Sequence, residues 1–139
     1  DGLISALEVI KILDNNKNKT FSDLYDGLPT TFSSPTMSPK CPDEVKYEII
    51  EKIEKIFNNK KTNNNLIAGQ RIISVLTVNG VRVELEDGSW GLVRASSNSP
   101  NLVVVCESLE SKEKMKQIFS ELNCVLSDFN EIGDYDQKI

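Results

Sequence analysis

Apolar positions in the first part of the chain recur at helical spacing. Leu3, Leu7, Ile10 and Leu13, with Ile4 beside them, predict an amphipathic helix over residues 2–14. The polar run 14–19 ends it. Thr20 then caps a short helix carrying Phe21, Leu24 and Tyr25, which Gly27-Leu28-Pro29 stops. Residues 30–41 hold Pro35 and Pro39, several hydroxyls and no helical period. Proline fixes its own φ and biases the preceding residue toward β, so this stretch reads as extended chain and as the domain boundary or hinge. Pro42, Asp43 and Glu44 open a third helix at Pro42. Its stripe is Val45, Ile49, Ile53, Ile56 and Phe57, with Lys60 and Lys61 at the negative end of the dipole. Residues 58–65, rich in Asn and Lys, read as a solvated loop.

The period then changes to two. Ile73, Val75 and Thr77 alternate with Ile72, Leu76 and Val78, and Asn79-Gly80 is the strongest short hairpin signal. Val81, Val83 and Leu85 alternate with Arg82, Glu84 and Glu86, and Asp87-Gly88 offers a second turn. A third strand begins at Trp90 and runs to Arg94, a loop follows to Asn101, and Leu102 to Cys106 is a fourth strand. A last helix from about Ser111 carries Met115, Ile118, Phe119 and Leu122 on its inner side. A block of strands flanked by helices gives an α+β fold, with a four-stranded antiparallel sheet covered by helices on one face and partly open on the other.

Composition narrows the function. A chain of 139 residues makes one compact domain with a short appendage, not two full domains. It begins with Asp1, enters a helical pattern at once, and reads as a piece of something longer. Sixteen basic against twenty-one acidic residues leave a net charge of −5, a poor basis for tracking a polyanion, so nucleic acid is not expected as a partner, although four-stranded sheets with two helices do serve that purpose elsewhere. With no histidine there is no Ser-His-Asp or Cys-His mechanism and no imidazole ligation. The three cysteines Cys41, Cys106 and Cys124 are widely spaced, which fits a reducing, cytoplasmic compartment better than a disulfide scaffold. Cys106 and Cys124 read as inert buried thiols. No apolar run is long enough to span a bilayer, so no membrane partner is expected. No candidate nucleophile has a candidate base, and no acidic cluster has metal-ligand spacing, so neither a catalytic residue nor a metal site is assigned.

One local pattern rises above fold-making. Residues 90–100, Trp-Gly-Leu-Val-Arg-Ala-Ser-Ser-Asn-Ser-Pro, place Arg94 at a strand end and follow it with small and polar residues. Such a loop offers backbone amides, the side chains of Ser96, Ser97, Asn98 and Ser99, and one guanidinium, the groups that suit a phosphate monoester. A plain β–β connection uses the same turn residues. Arg82, beside Glu84 on the polar face, reads as half of a solvated cross-strand ion pair, and Trp90 as a core aromatic.

Residues 79–96, Asn-Gly-Val-Arg-Val-Glu-Leu-Glu-Asp-Gly-Ser-Trp-Gly-Leu-Val-Arg-Ala-Ser, resemble the last domain of bacterial phosphomannomutase/phosphoglucomutase, in the α-D-phosphohexomutase superfamily. The similarity continues through Pro100 to Glu107. The resemblance implies a TATA-binding-protein-like C-terminal domain over 35–139, preceded over 1–34 by the remnant of a third domain and the hinge. It implies a parent enzyme that interconverts hexose 1- and 6-phosphates through a bisphosphorylated intermediate, with magnesium and a glucose or mannose 1,6-bisphosphate activator. The phosphoserine and metal loops of such enzymes are absent from this sequence. Here the implied role is to hold the substrate's non-transferring phosphate, with Arg94 as the charge and Ser96, Ser97 and Asn98 as hydrogen-bond donors. The implied partners are the phosphosugar and the enzyme's other domains. The family more often has Asn or Gly where Ser97 stands and Thr where Asn98 stands. A non-catalytic α+β module that binds an anion or a protein is the competing reading.

Overall fold

A computed structural model describes residues 1–137 and 139. It divides into two units, Asp1–Thr30 and Thr31–Ile139. Residues 31–34 are already stitched to the sheet of the second unit.

The first unit holds α1 (Gly2–Asn15) and α2 (Phe21–Asp26). Asp1 caps α1 by accepting from the Leu3 and Ile4 amides, and Thr20 forms a capping box with Asp23 on α2. The apolar stripe of α1 is present as expected, but neither helix buries a residue.

In the second unit, β1 (Phe32–Ser33), β2 (Leu66–Ile67), β3 (Gln70–Leu76), β4 (Val81–Leu85), β5 (Trp90–Ala95) and β6 (Leu102–Ser108) form one antiparallel sheet in the order β1-β6-β5-β4-β3-β2. The expected meander of four strands is β3 to β6; two-residue strands extend it at both edges. Helices α3 (Lys46–Thr62) and α4 (Lys112–Leu126) lie on one face. Val81, Val83 and Leu85 from β4, Val93 from β5 and Leu102, Val104 and Cys106 from β6 meet Ile49, Ile53 and Phe57 of α3 and Met115, Ile118 and Leu122 of α4. Gly91 on β5 lets α4 approach, since a Cβ there would lie 2.7 Å from Leu122 Cδ1.

Several local expectations change. The segment 32–41 is extended, but it runs along β6 rather than free: Ser34 N donates to Cys106 O, Met37 exchanges backbone bonds with Val104, and Leu102 N donates to Pro39 O. Helix α3 starts at Lys46, not Pro42, because Pro42 to Val45 form a turn in which the Val45 and Lys46 amides both donate to Pro42 O. It then continues to Thr62 through much of the expected loop, helped by Thr62 Oγ1 donating to Asn58 O. A bulge at Ile73 breaks the alternation of β3: Ile72 faces Leu85 in the core, Val75 faces Val83, and Ile73 is exposed. Residues 77–80 connect β3 to β4, a longer link than a two-residue turn, with Gly80 at φ +101°. Trp90 is not a core aromatic. It points to the open face, where the Arg82 guanidinium stacks 4.6 Å from its ring and its Nε1 donates to Glu107. Arg82 does reach Glu84, at 3.4 Å, but along β4 and not across strands.

Cys106 is fully buried, and burial pushes its thiol up to about 12 from 9.0. Cys41 is also buried, and burial raises its thiol too. Cys124 is exposed, contrary to expectation, because it lies off the stripe that carries Leu122, Val125 and Leu126. A thiol reagent at neutral pH is therefore expected to label one cysteine of the native chain rapidly and three in urea. The raised Cys106 value also gives a sign. Below pH 9 native and unfolded chains both keep that proton; between 9 and 12 the unfolded chain releases it and the native chain does not. Stability is thus lost as pH rises through this window, and Cys106→Ala is expected to flatten the alkaline fall of the urea midpoint.

Candidate functional site

The site is built by the parity of β5. Gly91 and Val93 turn inward, so Trp90, Leu92 and Arg94 turn outward, and Arg94 comes last before the loop. Antiparallel pairing of Val81 with Val93 brings the connection 78–80 alongside it. Gly80 is needed there twice: its φ is positive, and a Cβ would sit 2.6 Å from Val93 O and 2.7 Å from Arg94 Cα.

Arg94 and Ser97 line one hollow of about 260 Å³ with Tyr47 and Ile50 of α3, Gly80 and Ala95. A second hollow of about 370 Å³ includes Leu76, Arg82, Leu92 and Arg94. Arg94 is half-buried, and Nη1 donates to Ala95 O at 3.3 Å. No acid among the described residues pairs with it, whereas Arg71 meets Glu86 at 3.2 Å and Arg82 meets Glu84. The other N–H groups of its guanidinium have no partner among the described residues.

The loop residues divide. Ser97 and Asn98 are exposed, but Ser96 is buried and its hydroxyl is used inside the loop, 3.1 Å from Asn98 Oδ1 and 2.8 Å from Ser99 Oγ. The structure thus brings Arg94 and Ser97 to one hollow, ties Asn98 to the loop and turns Ser96 inward. Ser96 N donates to Asn101 O and Asn101 N to Ser99 O, closing the loop at its base. No described residue accepts from the amides of Ser97, Asn98 or Ser99.

Sequence reasoning missed Lys46. It is 3% exposed in the first turn of α3, and its Nζ donates to Asp43 Oδ1 at 2.6 Å, to Ser96 O and to Ser99 O at 3.1 Å. A signal was present: Lys46, Ile49 and Ile53 stand at i, i+3 and i+7 on the buried stripe.

A hollow of about 630 Å³ lies elsewhere, between Phe119 and Asn123 of α4 and the tail residues Asp134 and Tyr135, and its described lining residues include no lysine or arginine. Among the described residues no group of three or more His, Cys, Asp or Glu is placed to hold a metal ion, and no helix is long and apolar enough to cross a membrane.

An antiparallel α+β domain with a free arginine at a strand end, followed by a polar loop, now has its relatives. Residues 39–123 match the family model described as phosphoglucomutase/phosphomannomutase, C-terminal domain. The chain is 32% identical over 133 residues to a phosphomannomutase/phosphoglucomutase of Pseudomonas syringae pv. tomato, covering 94% of this chain and 26% of that protein. It is 32% identical over 114 residues to a phosphopentomutase of Thermococcus kodakarensis (82% and 23%), and 31% identical over 120 residues to a probable phosphoglucosamine mutase of Methanothermobacter thermautotrophicus (85% and 24%). A solved phosphoglucomutase/phosphomannomutase family protein from Burkholderia thailandensis superposes with a TM-score of 0.56 at 25% identity, over 77% of this chain and 19% of that one. The chain belongs to the phosphoglucomutase/phosphomannomutase family and carries its C-terminal domain. It spans about a quarter of the length of these curated relatives.

Gly80→Ala is expected to destabilise the domain by about 1–3 kcal/mol, through strain at positive φ and the clash with β5. Urea unfolding measures the loss. The side-chain resonance of Arg94 is expected to move while those of the α4 core stay; an unchanged Arg94 signal would detach the turn from the site.

Proposed function

We propose that this chain is the phosphate-clamping C-terminal part of a phosphohexomutase that interconverts hexose 1- and 6-phosphates through a bisphosphorylated intermediate. Residues 1–34 are the end of the preceding domain and the hinge, and the chain is not catalytic by itself. The observation that carries the reading is the acid-free guanidinium of Arg94 beside a loop whose amides at residues 97–99 have no acceptor among the described residues. A phosphate monoester supplies several acceptor oxygens and up to two negative charges. One guanidinium binds two of those oxygens together, and loop amides satisfy others. Arg94 supplies the charge, and Ser97 and the amides at 97 and 98 supply donors. Ser96 and Asn98 contribute by turning their side chains from each other to the ligand.

The names of the relatives fit this division of labour. They concern pentose, hexose and glucosamine substrates, so the sugar varies while the phosphate is common to all. A domain shared among them at similar identity is suited to reading the phosphate and leaving the sugar to other parts of the enzyme. The magnesium that the family implies for the whole enzyme finds no ligand cluster among the described residues. This chain's own contribution is to bind and orient one phosphate. By closing over the substrate it excludes water and adds binding energy away from the reacting atoms.

An amide-resolved NMR titration tests the assignment. Glucose 1-phosphate is expected to shift the signals of Arg94 through Ser99, and glucose at the same concentrations to shift none. Arg94→Ala removes about 2–3 kcal/mol of charge-assisted bonding and is expected to abolish the response. No shift in the unaltered chain up to about 50 mM, a generous ceiling for a one-sided site, would rule the clamp out. Equal shifts with glucose would make the loop a sugar contact.

A further inference from the structure

We propose that Lys46 is the positioning residue of the phosphate loop. It holds the carbonyls of Ser96 and Ser99 on the inner side, so that the loop presents its amide groups outward to an anion. This inference rests on the phosphate reading of the same site.

The placement of Lys46 runs against two ordinary preferences. A lysine almost never becomes fully buried, and a cation in the first turn of a helix faces the positive end of the dipole. Lys46 is 3% exposed and stands at the first position of α3. Burying an ammonium costs several kcal/mol unless its donors are met. Here its three N–H groups have three acceptors: Asp43 Oδ1, Ser96 O and Ser99 O. Asp43 is mostly exposed and lies three residues back in sequence, so it supplies a countercharge without supplying a fold contact. The two carbonyls come from the β5–β6 loop, fifty and fifty-three residues away. Lys46 is therefore the cross-link between α3 and the loop.

The consequence for the loop follows from peptide geometry. There is no cis peptide bond among the described residues. In a planar trans peptide the C=O of one residue and the N–H of the next point in opposite directions. With Ser96 C=O directed at the ammonium, the Ser97 N–H is directed away from it, and no described residue accepts from it. Ser99 precedes Pro100, so its carbonyl belongs to a peptide without an N–H, and fixing it costs the loop no donor. A loop of Ser-Ser-Asn-Ser left to itself samples many conformations and has to be ordered by its ligand. The buried ammonium orders it beforehand, which lowers the cost of binding.

The test titrates the 139-residue chain, its Lys46→Met variant and its Lys46→Gln variant with inorganic phosphate, following backbone amides. Met keeps the apolar stem and removes all three donors; Gln keeps donors but no charge and serves if the Met variant does not fold. Signals of Val83 and Val104 report an intact core in each. The expected result is a phosphate response at Ser97 and Asn98 in the unaltered chain that weakens about ten-fold or more in a folded variant. Faster amide exchange at residues 97–99 before any phosphate is added is expected alongside it. A folded variant that binds phosphate within about two-fold of the unaltered chain, with loop exchange unchanged, overturns the role of Lys46 and leaves the phosphate site standing. An unaltered chain that gives no response overturns the phosphate site itself, and the role with it.

Discussion

Side-chain parity along β5 sets both the core and the site. Gly91 and Val93 must face the helices, the glycine because Leu122 of α4 occupies the space a Cβ would take. Once those two positions face inward, Trp90, Leu92 and Arg94 face outward, because successive side chains of a strand alternate. A slip of one residue would drive the Arg94 guanidinium under α3 and α4 and bring Leu92 against them in place of Val93. The core therefore specifies the register that exposes the arginine. The same register, carried to β4 through the pair Val81 and Val93, lays the Gly80 turn against Arg94. Packing energy and the geometry of the site are one constraint seen from the two faces of the sheet.

Most of this was legible in the sequence where the pattern is long and regular. The four meander strands, the stripes of α3 and α4 and the cap at Thr20 follow from period and capping chemistry. What escaped lies where tertiary contact overrides local preference. Two-residue strands carry no period, so β1 and β2 could not be seen. The bulge at Ile73 inverts the alternation on one side of itself and looks like ordinary strand from sequence. Asn58 and Asn59 are weak helix formers, yet α3 passes through them because its buried face, anchored at Phe57, carries the helix on.

The site was legible in part, for a related reason. That Arg94 and Ser97 stand at one hollow of the candidate site could be anticipated from residue type and place: a strand end, a scarce arginine, a run of hydroxyls. The inward turn of Ser96 could not be, since a serine hydroxyl serves a ligand or its own loop equally well. Lys46 carries no mark of burial in its residue type, and only its three-residue spacing from Ile49 sets it on the apolar stripe. Cys124 was misread in the opposite sense, two positions past Leu122 and so off the buried face.

The two cations of the site divide its electrostatics in a chain whose net charge is −5. Lys46 is desolvated and fully engaged, with one carboxylate and two carbonyls, so its attraction for a ligand is largely spent within the domain. Arg94 keeps its charge unopposed at the surface, in a hollow where Tyr47 and Ile50 reduce contact with water. Interchanging them would serve neither role. A guanidinium is planar and could not direct three bonds from one nitrogen into a buried corner, and an ammonium at residue 94 would meet a phosphate as a point charge without the paired bonds that fix its orientation. In the proposed phosphate-holding role, the acidic balance of the chain confines attraction for an anion to one guanidinium and a few amides.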